Sequence, residues 1–212
     1  MHLGRYVLGM VYAYHLIITT YGFWLPNDPR GSWSDFVRAW ELQAFGPATK
    51  TTTRRSVAAR RHDRATRVAA KEALARDAVE FDGEQALAVG MGYADYVRRS
   101  GLHVLAGSVL PRHTHLVAGR MAHPVEQTAN LLKGAATTEL NRRGLHPFAG
   151  QAYRDGRLPS PWARKGWAVY LDSDADIRRA IGYVEGNPTK EGKPAQRWGF
   201  VTPYNGLESL AV

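Results

Sequence analysis

The chain has 212 residues, with 28 Lys and Arg against 19 Asp and Glu for a formal net charge of +9, and it contains no cysteine. That length suits one domain with a real core, or one domain carrying an embellishment. The missing cysteine excludes a disulfide framework, a thiolate nucleophile and a Cys-ligated zinc or iron–sulfur centre, and no apolar run approaches the ~20 residues of a membrane span. At 44% hydrophobic and 22% charged residues the composition is globular. The excess positive charge makes a polyanion the first partner to consider. Residues 1–18 are interrupted by Gly4, Arg5, Gly9, Tyr12, Tyr14 and His15 and are followed by no small-residue cleavage site. A secretory signal is therefore not expected, and a cytoplasmic location without a membrane partner is.

The first strand is expected over Tyr12 to Thr20, which is rich in β-branched and aromatic residues. Gly22 to Ser34 follows as a turn-rich stretch around Asn27-Asp28-Pro29. Residues 50–76 then carry nine basic residues against Asp63 and Glu72, a net +7, and their alanine-rich second half reads as a helix over Ala65 to Arg76. Such a segment is a solvated basic arm or a nucleic-acid contact. A helix is expected over Gly83 to Ser100, closed by Arg98 and Arg99. Leu102 to Leu110 and His115 to Ala118, joined at Pro111-Arg112, read as a strand pair. Pro124 to Arg143 reads as a helix with Gly144 just past its end. Trp162 to Leu171 reads as a strand or hairpin, and Ser173 to Gly186 as a helix capped by Ser173 and stopped by Pro188. No internal repeat is visible. Helices alternating with antiparallel-looking strands point to an α+β fold, an antiparallel sheet with helices packed on it.

Three features bear on chemistry. His113 and His115, two apart on a strand, face the same side and can converge on one divalent ion; the same spacing also describes two half-buried strand histidines. Tyr183 lies off the apolar stripe of its helix, with Asn187 one turn later on the same face. Positive charge near a phenol favours the phenolate, a nucleophile for phosphorus, whereas an unassisted tyrosine there is an amphipathic residue at a helix–sheet boundary. In Pro161 to Trp167, Trp162 and Trp167 flank Arg164 and Lys165, a pairing of stacking surfaces and cations that suits unpaired bases and phosphates or simply a basic turn between core aromatics.

Several stretches carry a resemblance. They are YHLIITTYGFWLPNDPRGSW at 14–33, VLPRHTHLVAG at 109–119, LLKG at 131–134, PWARKGWAVYL at 161–171 and IRRAIGYVEGNPTKEGKPAQRWGFV at 177–201. Together they resemble the REP-associated tyrosine transposases, a branch of the single-tyrosine HUH transposases of insertion sequences. The likeness runs close to full length and is weakest over about 35–100. Its most specific elements are the Pro-x-His-x-His strand and the later Tyr-Val-x-x-Asn-Pro helix end, in that order and about 70 residues apart.

The resemblance implies one ferredoxin-like or RRM-like HUH catalytic domain over 1–212, with a basic insertion at about 35–80. It assigns the HUH histidines to His113 and His115, the nucleophile to Tyr183, and the third ligand of Mg²⁺ or Mn²⁺ to Asn187. Thr114 departs from the large hydrophobe usual between the histidines; it still favours a strand and faces away from the imidazoles. Asn187 precedes Pro188, which disfavours helical geometry there. The implied reaction is nicking and rejoining of single-stranded DNA through a 5′-phosphotyrosine bond, on hairpin or palindromic ends. Arg54, Arg55, Arg60, Arg61, Lys133, Trp162, Arg164, Lys165 and Trp167 are the expected DNA contacts. No GxxxxGK[ST] phosphate loop is present, as suits a reaction that conserves phosphodiester energy without ATP. Relatives of this type include dimers, so a homodimer is one expectation. The competing reading is a hairpin DNA- or RNA-binding module of the same fold that does not cut. Longer helicase-bearing HUH enzymes do not fit this length, and a metal-dependent phosphodiesterase using water would not need Tyr183.

Overall fold

In chain order the described residues form strand β1 (Ala13–Thr19), a 3-10 segment (Trp40–Phe45), helices α1 (Arg64–Glu72) and α2 (Gly83–Ser100), and strands β2 (Val104–Val109) and β3 (His113–Gly119). Helix α3 (Val125–Arg142), strand β4 (Trp167–Leu171), helix α4 (Asp174–Lys190) and a short 3-10 turn (Leu207–Leu210) follow. The computed structural model describes residues 10–23, 25, 40–45, 63–164 and 166–210. The chain divides into two compact units. One comprises Met1–Thr19, Phe81–Pro159 and Lys165–Val212; the other comprises Thr20–Glu80 and Ser160–Arg164.

The larger unit is an α+β fold. Its four strands form an antiparallel sheet in the order β2-β3-β1-β4. With α2 between β1 and β2 and α3 between β3 and β4, this order is a split βαβ, consistent with a ferredoxin-like arrangement. Side chains alternate between the two faces of each strand, and directly paired residues share a face. Ile17 pairs with His115 and Thr19 with His113, so the two β3 histidines stand on the same face as His15, Ile17 and Thr19. That face also carries a core of Ala13, Ala106, Val117 and Leu171 packed against Ile177, Ala180 and Val184 of α4. Thr114 lies on the opposite face, where its hydroxyl meets Tyr93 of α2 at 3.0 Å. Helices α2 and α3 approach closely beneath it: a Cβ on Gly92 would come within 2.5 Å of the Ala136 Cα.

Local signals explain the helix ends. Asp82 and Gln85 form a reciprocal capping box at the start of α2, and Gly101 closes it with φ +68°. Helix α4 starts at Ser173, whose hydroxyl accepts from the Asp176 N–H. Its other end corrects the sequence expectation: Pro188 does not stop the helix, which runs on to Lys190. A proline three residues from the end forfeits its own N–H bond, yet later donors still find carbonyls, Glu191 N–H reaching Asn187 and Pro188 and Lys193 N–H reaching Pro188 at 2.8 Å. Asn187 therefore stays helical. The strand expected over Trp162 to Leu171 is also shorter, beginning at Trp167.

In the smaller unit, α1 starts from Asp63, whose carboxylate accepts from the Thr66 N–H at 3.0 Å, and ends at Glu72 rather than Arg76. Ala70 packs with Leu25 and Leu42. Trp162 pairs with Thr20 in an isolated bridge, and the Thr20 hydroxyl donates to the Val79 carbonyl at 2.8 Å. Of the basic insertion expected at about 35–80, residues 35–39 and 46–62 lie outside the described residues.

Candidate active site

The alternation of β3 and the packing of α4 bring His113, His115, Tyr183 and Asn187 to one face of the sheet. His115 is 3% exposed, and its ring centroid lies 4.8 Å from that of His113 and 5.5 Å from that of Tyr183, edge-on in both cases. Tyr183 is 46% exposed, open to solvent on one side while its ring rests on the buried imidazoles. Along α4 the contact continues one and two turns on. Asn187 is buried, and Glu191 Oε1 lies 3.6 Å from His113 Nε2. Asn187 falls between Tyr183 and Glu191 on the helix, about one turn from each.

Sequence reasoning missed several members of this cluster. His15 is buried on β1, its Nε2 2.9 Å from His115 Nδ1 and its ring 5.7 Å from that of Tyr183. Ser108 pairs with His115 across β2 and β3, and Thr19 pairs with His113 across β1 and β3, so both hydroxyls stand on the site face. Lys190 holds its ammonium 5.1 Å from the Tyr183 ring centroid. Only a register between strands, which no local motif encodes, could have announced the first three. Lys190 and Glu191 carried a weak signal: each about two turns past Tyr183, they fall near its face.

Polar atoms here are unusually short of partners. His115 Nε2, Asn187 Nδ2, Ser108 Oγ and Thr19 Oγ1 are buried and meet no hydrogen-bond partner among the described residues. Buried polar atoms are ordinarily satisfied, so these four stand out around the histidines. Burial pushes the His15 imidazole down to about 4. His115 is held well below the usual range by burial first, then by the neighbouring His15 and His113. Both rings are neutral at pH 7, which is the form that ligates cations. No group of three or more His, Cys, Asp or Glu among the described residues is arranged to hold a metal ion. The donors on offer are two imidazoles and an amide; half a turn of the Asn187 amide puts its oxygen where the unpartnered nitrogen stands.

The expected DNA contacts are not gathered in the same way. Arg54, Arg55, Arg60, Arg61 and Lys165 lie outside the described residues. Lys133 is buried in α3, and burial pulls its ammonium down to about 8. Trp167 is half-buried at the start of β4, while Trp162 is buried and Arg164 exposed in the smaller unit.

No protein-family model and no curated protein matches this chain. Among solved structures, a REP-associated tyrosine transposase bound to a REP hairpin is similar at 12% identity and a TM-score of 0.44, covering 91% of this chain and 74% of that one. A putative transposase from Deinococcus radiodurans R1 is similar at 17% identity and a TM-score of 0.37, covering 88% of this chain and 97% of that one.

Proposed function

We propose that this chain nicks and rejoins single-stranded DNA, with Tyr183 as the nucleophile. The observation that carries the reading is the placement of a solvent-open phenol against two buried, neutral histidines, on a face crowded with unpartnered polar atoms. Nitrogen and oxygen donors from His113, His115 and Asn187 fit Mg²⁺ or Mn²⁺, and such an ion, when bound, supplies Lewis-acid polarisation of the scissile phosphate.

The side chains do the rest. The half-exposed Tyr183 admits a DNA strand to its hydroxyl, and the Lys190 ammonium packs over its ring, 5.1 Å from the centroid. That oxygen attacks phosphorus, forming a Tyr–O–P bond as the P–O3′ bond breaks. The phenol proton leaves to solvent, and the departing strand takes up a proton to end as a free 3′-OH. The phosphodiester energy stays in the 5′-phosphotyrosine link, so a later 3′-OH reverses the step. A hairpin-bearing single strand as substrate follows from the sequence resemblance alone.

The test is a denaturing gel of the protein with a hairpin-bearing single-stranded oligonucleotide and Mn²⁺. The expected result is a covalent adduct that disappears with EDTA and in Tyr183→Phe. An adduct or cleavage that survives Tyr183→Phe overturns the nucleophile assignment. No group of three or more His, Cys, Asp or Glu among the described residues is arranged to hold a metal ion, which favours a second reading, a hairpin-binding module that does not cut; tight, metal-independent binding with no adduct is its signature.

A further inference from the structure

The His15–His115 contact fixes more than packing. Its 2.9 Å separation between Nε2 of His15 and Nδ1 of His115 is a hydrogen bond, so one nitrogen carries a proton and the other a lone pair. Two arrangements satisfy it. If His15 donates, the proton of a neutral His115 sits on Nε2, as a buried N–H that meets no acceptor among the described residues. If His115 donates from Nδ1, its Nε2 is a bare lone pair on the face shared with Tyr183 and Ser108.

The geometry points to the second arrangement: we infer that His15 is a positioning residue that holds His115 as the Nδ1–H tautomer and turns its Nε2 lone pair toward the cation. This rests on the proposed role of His115 as a cation ligand. Ligating histidines commonly give their other N–H to a carboxylate or carbonyl, which fixes tautomer and ring orientation. Here an imidazole takes that place. His15 is diagonal to His115, since it pairs with Val117 and Ile17 pairs with His115. The strand register therefore sets the contact, and the neutral acceptor adds no charge to a site only 8% exposed at His15.

Long-range ¹H–¹⁵N spectra of the ¹⁵N-labelled, metal-free protein read the tautomer directly, and a parallel Mn²⁺ titration reads affinity. Wild type is expected to show His115 protonated at Nδ1 and bare at Nε2. His15→Leu removes the acceptor; His115 then shifts toward Nε2–H and Mn²⁺ binding weakens about 10–100-fold. His15→Gln, whose amide oxygen can accept, restores the Nδ1–H form and most of the affinity. A wild-type His115 protonated at Nε2, or a His15→Leu protein that keeps both the Nδ1–H tautomer and full affinity, overturns the inference. A wild type that shows the Nδ1–H tautomer but takes up no Mn²⁺ supports the inference and overturns the cation reading instead.

Discussion

On one face of β3 the Thr114 hydroxyl is fully buried and lies 3.0 Å from the Tyr93 hydroxyl; on the other, His115 is almost as deeply buried and its Nε2 meets no hydrogen-bond partner among the described residues. The neighbours repeat the contrast. Beneath Thr114, helices α2 and α3 close on each other until Gly92 leaves no room for a Cβ. The Ser108 and Thr19 hydroxyls and the Asn187 amide nitrogen are likewise buried without hydrogen-bond partners among the described residues. The same strand thus places a hydrogen-bonded hydroxyl on one side and several polar atoms without partners among the described residues on the other. Folding alone selects for the first arrangement; the second costs stability and persists where a bound group supplies the missing bonds.

The largest expected effect tests whether the unsatisfied face is chemical. Tyr183→Phe removes one oxygen from a half-exposed side chain and keeps the ring beside Lys190. Complete loss of the covalent DNA adduct is expected with unfolding stability within about 0.5 kcal/mol of wild type. A parallel loss of stability would make Tyr183 a packing residue and erase the distinction between the faces.

Acid should undo the site face before the other. An exposed histidine titrates near 6.5, whereas burial pushes His15 down to about 4. Between those values the unfolded chain holds a proton that the folded chain refuses, so stability rises with pH across that window. The contribution is fully present above 6.5 and is lost as pH falls toward 4. The drop corresponds to roughly 3 kcal/mol, and His115, shifted in the same direction, adds to it. Urea denaturation of the metal-free protein at pH 7.5, 5.5 and 4 should show this decline, and His15→Leu should flatten part of it. An unchanged pH dependence in that variant would show that His15 is not the buried neutral ring described above.

Thr114→Val tests the satisfied face. Valine keeps the strand-forming shape but strands the Tyr93 hydroxyl in the core, with an expected loss of about 1–3 kcal/mol. Adduct formation per folded molecule should be unchanged, because Thr114 points away from the histidines. The departure from a large hydrophobe between the histidines is then a local exchange of packing for one hydrogen bond.

Much of this was legible in the sequence because the signals are local. Helix α2 falls on the expected Gly83 to Ser100, Ser173 caps α4, and the alternation of β3 separates Thr114 from His113 and His115. Tyr183 and Asn187 share a face because helical spacing puts them there. What stayed hidden depends on register or on the reach of later donors. His15 joins His115 only once β1 has been set against β3, and nothing near Tyr14 or Leu16 encodes that pairing. Pro188 reads as a stop when taken alone, yet the carbonyls of Asn187 and Pro188 are used by residues beyond it, which keeps Asn187 in the helix. Trp162 to Leu171 reads as a strand or hairpin from composition, but the strand begins at Trp167 and Trp162 makes an isolated bridge with Thr20.

The smallest expected change is the most discriminating, because it matches Thr114→Val almost atom for atom. Ser108, like Thr114, is a fully buried hydroxyl residue, and it stands directly opposite His115 on the neighbouring strand β2. Its Oγ has no hydrogen-bond partner among the described residues to lose. Ser108→Ala therefore removes a desolvated oxygen without orphaning anything, and unfolding free energy should stay within about 0.5 kcal/mol of wild type or rise slightly. Denaturant midpoints of the two variants, measured side by side at pH 7.5, decide the matter. If Ser108→Ala costs as much as Thr114→Val, the Ser108 hydroxyl is already bonded in the ligand-free protein and the faces do not differ. If it costs nothing while Mn²⁺ or hairpin binding weakens, the hydroxyl is kept for what binds beside His115, and the asymmetry of β3 is functional.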